Sequence, residues 1–384
     1  MQWAPLATTF ARMGILIRQL ESGESLSDYL SVPGSVNDRP NRVLPLLADE
    51  RAFHDPRRNT SLAKCLVARF MAWQDEVPVG RIMCIIHPGH NAAHKEHTAR
   101  FYQLDCTNSP AIAQALLQRA EAWARERGML RLIGPFGFSD KDPQGLQIDG
   151  FEHLPVIATP SNPSWLPPLV EQFGYQKLID AVSYRVGIPM FPPVLHERIA
   201  ERALRNGRIR LLNFRSKDDL KPWIVPVLRL VNETYTALFG FDPMSEEEMR
   251  GLAAQYMPIL DPAFVQVLVD QQDAPVAFVV AAPDMSEGLR RAKGRLLPLG
   301  WWHILRAMKR SRQLDLFLGA VRPDLQGLGL TCVLGIALMK AARQRGLTHM
   351  DSHLVLETNH RMRAELERLG GTVWKRYRIY QKTL

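Results

Sequence analysis

Apolar and polar positions along this 384-residue chain alternate with a period near two in some stretches and near 3.6 in others. "CLVARFMAW" and "GRIMCII", within residues 65–88, flank a polar turn near Glu76–Pro78 and predict a hairpin. "FVQVLVD" and "PVAFVVAAP", within 264–283, predict a second hairpin that turns near Gln272–Pro275. "IRLLNF" (209–214) reads as one more strand, and 219–240 as a helical stretch that Pro226 is expected to kink.

Downstream of each hairpin the pattern repeats itself. "AEAWARERGMLRLIG" (120–134) matches "LMKAARQRGLTHMDS" (338–352): a helical stretch, then Arg-x-Arg-Gly, then an extended run, with Gly128 and Gly346 as helix stops. "NPSWLPPLVEQFGY" (162–175) echoes "NHRMRAELERLGG" (359–371), and each leads into a strand with Tyr-Arg and a branched residue, Tyr184–Val186 and Tyr377–Ile379. Strand, helix, strand, helix, strand therefore occurs twice in one order. The fold class expected is α/β with a mixed sheet: two similar domains in tandem, each a twisted sheet flanked by helices. The boundaries expected are an extension over 1–40, a first domain over 41–190, a charged, helix-like linker behind three prolines over 191–208, and a second domain over 209–384.

Charge separates the two halves. Residues 1–190 carry 19 basic and 19 acidic residues, and residues 191–384 carry 29 and 20, so the whole net charge of +9 lies in the second half. A local basic field suits a polyanionic ligand, whether a nucleotide cofactor, anionic lipid headgroups or nucleic acid. Cys65, Cys84, Cys106 and Cys332 are scattered, with no metal-ligand spacing, and read as reduced structural thiols without a metal. The start of the chain lacks the pattern of a cleaved signal, and no 18-residue uncharged apolar run suggests a membrane span.

Candidate chemistry gathers in "VRPDLQGLGLTCVLG" (321–335), where a strand ends and a helix begins across two glycines. Such a corner is either a tight turn or an anion cradle, because a helix N-terminus offers unpaired N–H groups to a pyrophosphate. It is neither a dinucleotide fingerprint nor a P-loop, since it lacks a third glycine and Gly-Lys-Ser/Thr. Counting back from Gly128 as from Gly346 sets this corner against "LDCTNSPAIAQ" (104–114), which has no glycine and carries Pro110 at its helix start.

Gln326-Gly-Leu-Gly329-Leu-Thr331 resembles motif A of the GNAT acyltransferase superfamily, with Thr331 where that family has Gly or Ala. "LVLETNHRMRAELERLGG" is similar to the family's strand-Asn-helix ending. The resemblance implies two GNAT-like domains, the first without a cofactor loop. It also implies coenzyme A or acyl-CoA as co-substrate, an amine acceptor, and a cofactor site at Val321, Gln326, Gly327, Leu328, Gly329, Leu330, Thr331 and Asn359. Many family members place an acidic Tyr seven residues after that Asn. Here the position is Leu366, so the thiolate is protonated by another group or by solvent.

Catalytic candidates are Tyr377, with Tyr380 beside it, and the pair His353 and Glu357, which four residues of strand would put on one face as a proton relay. Aromatic strand packing for the tyrosines and a surface pair for His353 and Glu357 stand as alternatives. The loop 134–155, with Asp140, Asp142 and Asp149, offers acids for a cationic amine. Residues 289–313 combine eight Lys/Arg residues with Trp301 and Trp302, which fits a peripheral contact with a membrane surface, an acyl-chain lid, a nucleic-acid patch or a solvated basic face. The architecture is similar to bacterial tandem-GNAT proteins, a group in which N-acylation of sphingoid bases occurs. Together these features lead to the expectation of an acyl-CoA-dependent N-acyltransferase with a long-chain, sphingoid-type amine, in the cytoplasm or at the inner membrane. A non-catalytic binding protein of the same fold and a nucleic-acid-binding protein are the alternatives.

Overall fold

The computed structural model describes residues 14–21, 23–36 and 39–384, so the signal reading of the first 13 residues lies outside it. In chain order, β1 (Ile15–Gln19), α1 (Ser27–Ser35) and α2 (Leu47–His54) precede the hairpin β2 (Leu66–Gln74) and β3 (Val77–Ile86). Then come β4 (Thr98–Cys106), α3 (Pro110–Arg125), β5 (Arg131–Gly134), β6 (Leu146–Asp149) and β7 (Gln176–Gly187). The second half holds α4 (Val194–Leu204), β8 (Arg210–Leu211), α5 (Ile224–Thr234), α6 (Glu246–Tyr256), β9 (Val265–Val269) and β10 (Pro275–Pro283). It ends with α7 (Ser286–Ala292), α8 (Gly300–Arg310), β11 (Gln313–Val321), α9 (Leu330–Gln344), β12 (His349–Asp351), β13 (Val355–Leu356), α10 (His360–Arg368) and β14 (Thr372–Thr383).

These elements pack as two units, neither of them continuous in sequence. The first takes the chain through Val182 together with Ser286–Ile304 and Lys375–Leu384; the second takes Ser183–Met285 and Leu305–Trp374.

In the first unit, β1 to β4 pair antiparallel in order, β4 runs parallel to β5 across α3, and β5 pairs antiparallel with Tyr380–Thr383 of β14. The first hairpin turns on Asp75 and Glu76, both at positive φ, the backbone twist that matches two right-twisted strands. Helix α3 buries Leu116, Leu117, Ala120, Trp123 and Ala124, a 3.6-residue stripe, against Phe70, Ile82 and Phe101 of the sheet. Each of those large side chains stabilises the fold by about 2 kcal/mol.

The unit also buries a polar cluster. Arg81 bonds Glu50 at 3.0 Å and Asp105 at 2.8 Å, and Arg69 Nε donates to His54 Nδ1 at 3.0 Å. Burial, with Arg69 and Arg81 close by, pushes the His54 imidazole down from 6.5 to about 3. An unfolded His54 gains a proton below pH 6.5 and the folded one does not, so this stability is present above that pH and is lost as pH falls towards 3. Urea denaturation is expected to show a loss of about 2 kcal/mol by about pH 5 from this group, and the loss should shrink in His54→Gln.

The second unit repeats the order: β8 to β11 pair antiparallel, β11 runs parallel to β12 across α9, and β12 pairs antiparallel with Arg185–Gly187 of β7. Alternation along β9 sends Val265, Val267 and Val269 into one core with Val227, Leu228 and Val231 of α5, and Leu268 into another with Val333 and Leu334 of α9. Two local readings differ from the structure. The strand expected over 209–214 is reduced to Arg210–Leu211. Pro226 lies in the first turn of α5, where helical N–H groups have no intrahelical acceptor, so it costs the helix little. The helix-like stretch 191–208 does hold a helix, α4, and its Ala200 joins the core beneath α9.

Candidate active site

The corner between β11 and α9 is built by two left-handed glycines. Gly327 has φ +82° with open space where a Cβ would be, and Gly329, at φ +86°, is the N-cap of α9. A Cβ on Gly329 would stand 2.4 Å from Ile199 Cγ2 on α4, so close helix approach requires glycine there as well. Gln326, Gly327, Leu328 and Thr331 are exposed, and Leu330 is buried beneath them.

No side chain caps α9. Among the described residues, no carbonyl accepts from the amides of Gly327, Gly329, Leu330 or Thr331. Four N–H groups without a carbonyl partner thus gather at the positive end of a 15-residue helix, the chemistry that holds a pyrophosphate. Thr331 lies inside the helix and does not cap it. Gln326 folds across the loop, its Nε2 donating to the Val321 carbonyl at 3.1 Å and its Oε1 accepting from Arg361 of α10. Arg322 is committed to Asp324 and Asp270, at 2.8 and 3.3 Å. The corresponding corner of the first unit starts α3 with Pro110 after Ser109, which removes one amide and supplies no glycine.

Below the loop the sheet opens. β10 accompanies β11 as far as Val321, whereas β12 follows it only from Gln313 to Asp315. From Leu316 to Val321 the other edge of β11 has no strand partner among the described residues. The chain leaves at His353, which sits at φ +58°. Asp351 fixes that departure: its carboxylate accepts from the His353 amide at 2.6 Å, Ser183 Oγ at 2.7 Å and Trp374 Nε1 at 2.9 Å. The His353 ring then lies edge-on to Phe317, 6.3 Å between centroids, at the bulge of β11.

The left-handed residue breaks the strand expected over 353–357. Only Val355–Leu356 is extended, and Glu357 lies in the turn before α10, so His353 and Glu357 do not share a strand face. Asn359 caps α10, accepting from the Met362 amide at 3.2 Å. Arg363 on that helix donates to the Glu357 carbonyl at 3.2 Å and, through Nε, to the Tyr184 hydroxyl at 3.1 Å. The same hydroxyl donates to Glu367 at 2.6 Å. Burial raises the Tyr184 pKa above the usual phenol value, so it stays protonated at neutral pH. Sequence reasoning passed over Tyr184, although the Tyr-Arg repeat contained it.

Tyr377 belongs to the first unit, buried on β14 opposite Gln147 of β6, whereas Val321, Gln326–Thr331, His353, Glu357 and Asn359 belong to the second. Tyr380 is also in the first unit and donates to Glu171 at 3.0 Å. In the 134–155 loop, Asp142 is spent on structure: its half-buried carboxylate, pushed up to about 6 by desolvation, accepts from the Phe138 and Ser139 amides at 2.7 and 3.3 Å. Cys84 and Cys106 are buried, and burial raises both thiols, Cys106 to about 12, which leaves neither a thiolate nucleophile.

No family model matches the chain. It is 28% identical to Protein YghO of Escherichia coli over 394 aligned residues, covering 100% of this chain and 98% of that protein. It is 27% identical to the Bacterial ceramide synthase of Caulobacter vibrioides over 391, covering 99% and 100%. Among solved structures, a tandem GNAT protein from the clavulanic acid biosynthesis pathway superposes with a TM-score of 0.53 at 12% identity, covering 96% of this chain and 98% of that one. That likeness shows the fold, and the strand order repeated in the two units is in keeping with it. The chain has the fold of a tandem GNAT protein.

Proposed function

We propose that the protein transfers an acyl group from acyl-CoA to the amine of a long-chain, sphingoid-type acceptor. The observation that carries the donor is the contrast between the two corners: four unused amides behind glycines at 326–331, and a proline-headed, glycine-free helix start at 109–110. The acceptor class is supported by full-length similarity to a protein named as a bacterial ceramide synthase. An amphipathic amine sets the working surface at a lipid boundary on the cytoplasmic side, where acyl-CoA is supplied.

In this reading the loop amides and Arg361 hold the pyrophosphate, and the open edge of β11 orders the arm that carries the thioester. The neutral amine attacks the carbonyl carbon, the C–S bond breaks, and the thiolate takes a proton while the new ammonium loses one. Tyr184, held by Arg363, supplies the first proton in place of the Tyr that Leu366 lacks. His353, beside the bulged strand, accepts the second. Asn359 fixes the start of α10, and through it Arg361 and Arg363.

Thiol release from a long-chain acyl-CoA is expected with a sphingoid base and to be much weaker with a short alkylamine. Tyr184→Phe is expected to lower kcat about a hundredfold, with KM nearly unchanged. Acyl-CoA at about a hundred times Kd should stabilise the fold by about 2.7 kcal/mol. Neither stabilisation nor thiol release with any amine would remove the reading; stabilisation without turnover would leave a binding protein.

A further inference from the structure

Large apolar side chains are exposed unevenly. Of the fifteen exposed ones among the described residues, six fall within ten positions: Leu296 (38%), Leu297 (77%), Leu299 (59%), Trp301 (49%), Trp302 (44%) and Leu305 (49%). They occupy the connection between α7 and α8 and the first turns of α8. Scattered exposed leucines need no explanation, but a contiguous cluster with two tryptophans does.

The segment is held in this shape by close packing. A Cβ on Gly300 would meet the Arg295 carbonyl at 1.8 Å, and one on Gly288 would meet Ile304 Cα at 2.5 Å. The Gly294 carbonyl accepts from the Leu47 amide at 2.8 Å, and Trp301 Nε1 donates to the Pro298 carbonyl at 3.1 Å. Gly300 and Ile304 face inward on α8 while Trp301, Trp302 and Leu305 face solvent, so the apolar cluster is displayed on a rigid frame.

Its surroundings are cationic. Residues 289–313 hold eight Lys/Arg residues and no acid. Glu287, just before them, is tied to Arg290 and Arg291 at 2.7 and 2.6 Å, and Lys293, Arg295, Lys309, Arg310 and Arg312 set the local field. Among the described residues no helix is long and apolar enough to cross a membrane. Leucines and tryptophans ringed by cations match one partner in both properties: the interface of a bilayer, with apolar side chains below the headgroups and cations at anionic phosphates. Nucleic acid would use the charge but leave the leucines in water.

We propose that the α7–α8 tip, Arg295–Arg306, docks the protein on anionic phospholipid bilayers, with Leu297, Leu299, Trp301 and Trp302 inserted. Its purpose rests on the reading of an amphipathic acceptor, but docking is measured without turnover, so the two can fail separately. Co-sedimentation of the full chain with vesicles of phosphatidylethanolamine and phosphatidylglycerol should show binding, weaker on phosphatidylcholine. Leu297→Ser with Trp301→Ala and Trp302→Ala should weaken it more than tenfold. Gln at Arg295, Lys309 and Arg310 should cost about fivefold each at low salt and flatten the salt dependence.

Because Leu297, Trp301 and Trp302 already face water, the triple variant should keep its Tm, and a bromolipid quenching experiment on Trp301→Phe with Trp302→Phe gives a second readout. In that double variant, quenching of the remaining tryptophans should largely disappear. Wild-type binding by the triple variant, or salt-sensitive binding to duplex DNA with none to anionic vesicles, overturns the proposal. So does self-association abolished by the triple variant without any vesicle binding. Vesicle binding with no acyl transfer upholds docking and counts only against the acyltransferase reading.

Discussion

Gly327→Asp is expected to weaken coenzyme A binding by a hundredfold or more, roughly the 3 kcal/mol that one repelled, desolvated anion contact costs, while the Tm moves by only a few degrees. Two features of the position separate binding from folding. Open space surrounds the missing Cβ, so a side chain meets no neighbour. The backbone is left-handed at φ +82°, a conformation that Asp tolerates better than most residues. What changes is charge: a carboxylate stands among the amides of Gly329, Leu330 and Thr331 and competes for them. Titration calorimetry against a thermal melt reads both quantities, and unchanged affinity would move the site away from this loop. Gly329 would be a poor choice for the same experiment, because a Cβ there meets Ile199 at 2.4 Å and lost binding would be confounded with a disturbed α4–α9 contact.

Asp351→Ala is expected to destabilise the second unit by about 3–5 kcal/mol, the cost of stranding buried hydrogen-bond donors. Asp351 has no exposed surface and accepts from Ser183, Trp374 and the His353 amide. Of the three donors, the Trp374 indole also reaches Ser183 Oγ, at 3.1 Å. Loss of the acceptor also frees His353 from its left-handed turn, so acyl transfer should fall even below the unfolding midpoint. Asp351→Asn should recover only part of the stability, because its amide presents donors to donors. Urea denaturation with thiol release measured in parallel checks both effects, and an alanine variant of wild-type stability would refute this account of Asp351.

Much of the fold could be read from periodicity, because strands and helices write their burial into residue spacing. The hairpins, α3, α9 and the glycine corner follow from local pattern, and local physics makes them: alternation across a sheet, a 3.6-residue stripe, positive φ at glycine. Residues whose role depends on partners distant in sequence were harder to read. His353 looked like a strand residue because nothing nearby in sequence announces that Asp351 will hold it left-handed. Asp142 looked like an acid offered to a cationic amine, yet its half-buried carboxylate is spent on two amides of its own loop. Tyr184 and Tyr377 carry the same Tyr-Arg signature, and pattern alone gave no reason to prefer Tyr184.

The sequence by itself determined that there are two copies of one strand and helix order, and that only the second carries glycines at its corner. Tertiary structure alone decided how the chain is shared between the copies. Lys375–Leu384 closes the first unit on β5, Ser183–Gly187 completes the second on β12, and Ser286–Ile304 is packed with the first. The physical reason is that alternation records only that a strand has one buried face. It says nothing about which edge its N–H and C=O groups will meet, and two strands of the same pattern satisfy either edge equally well.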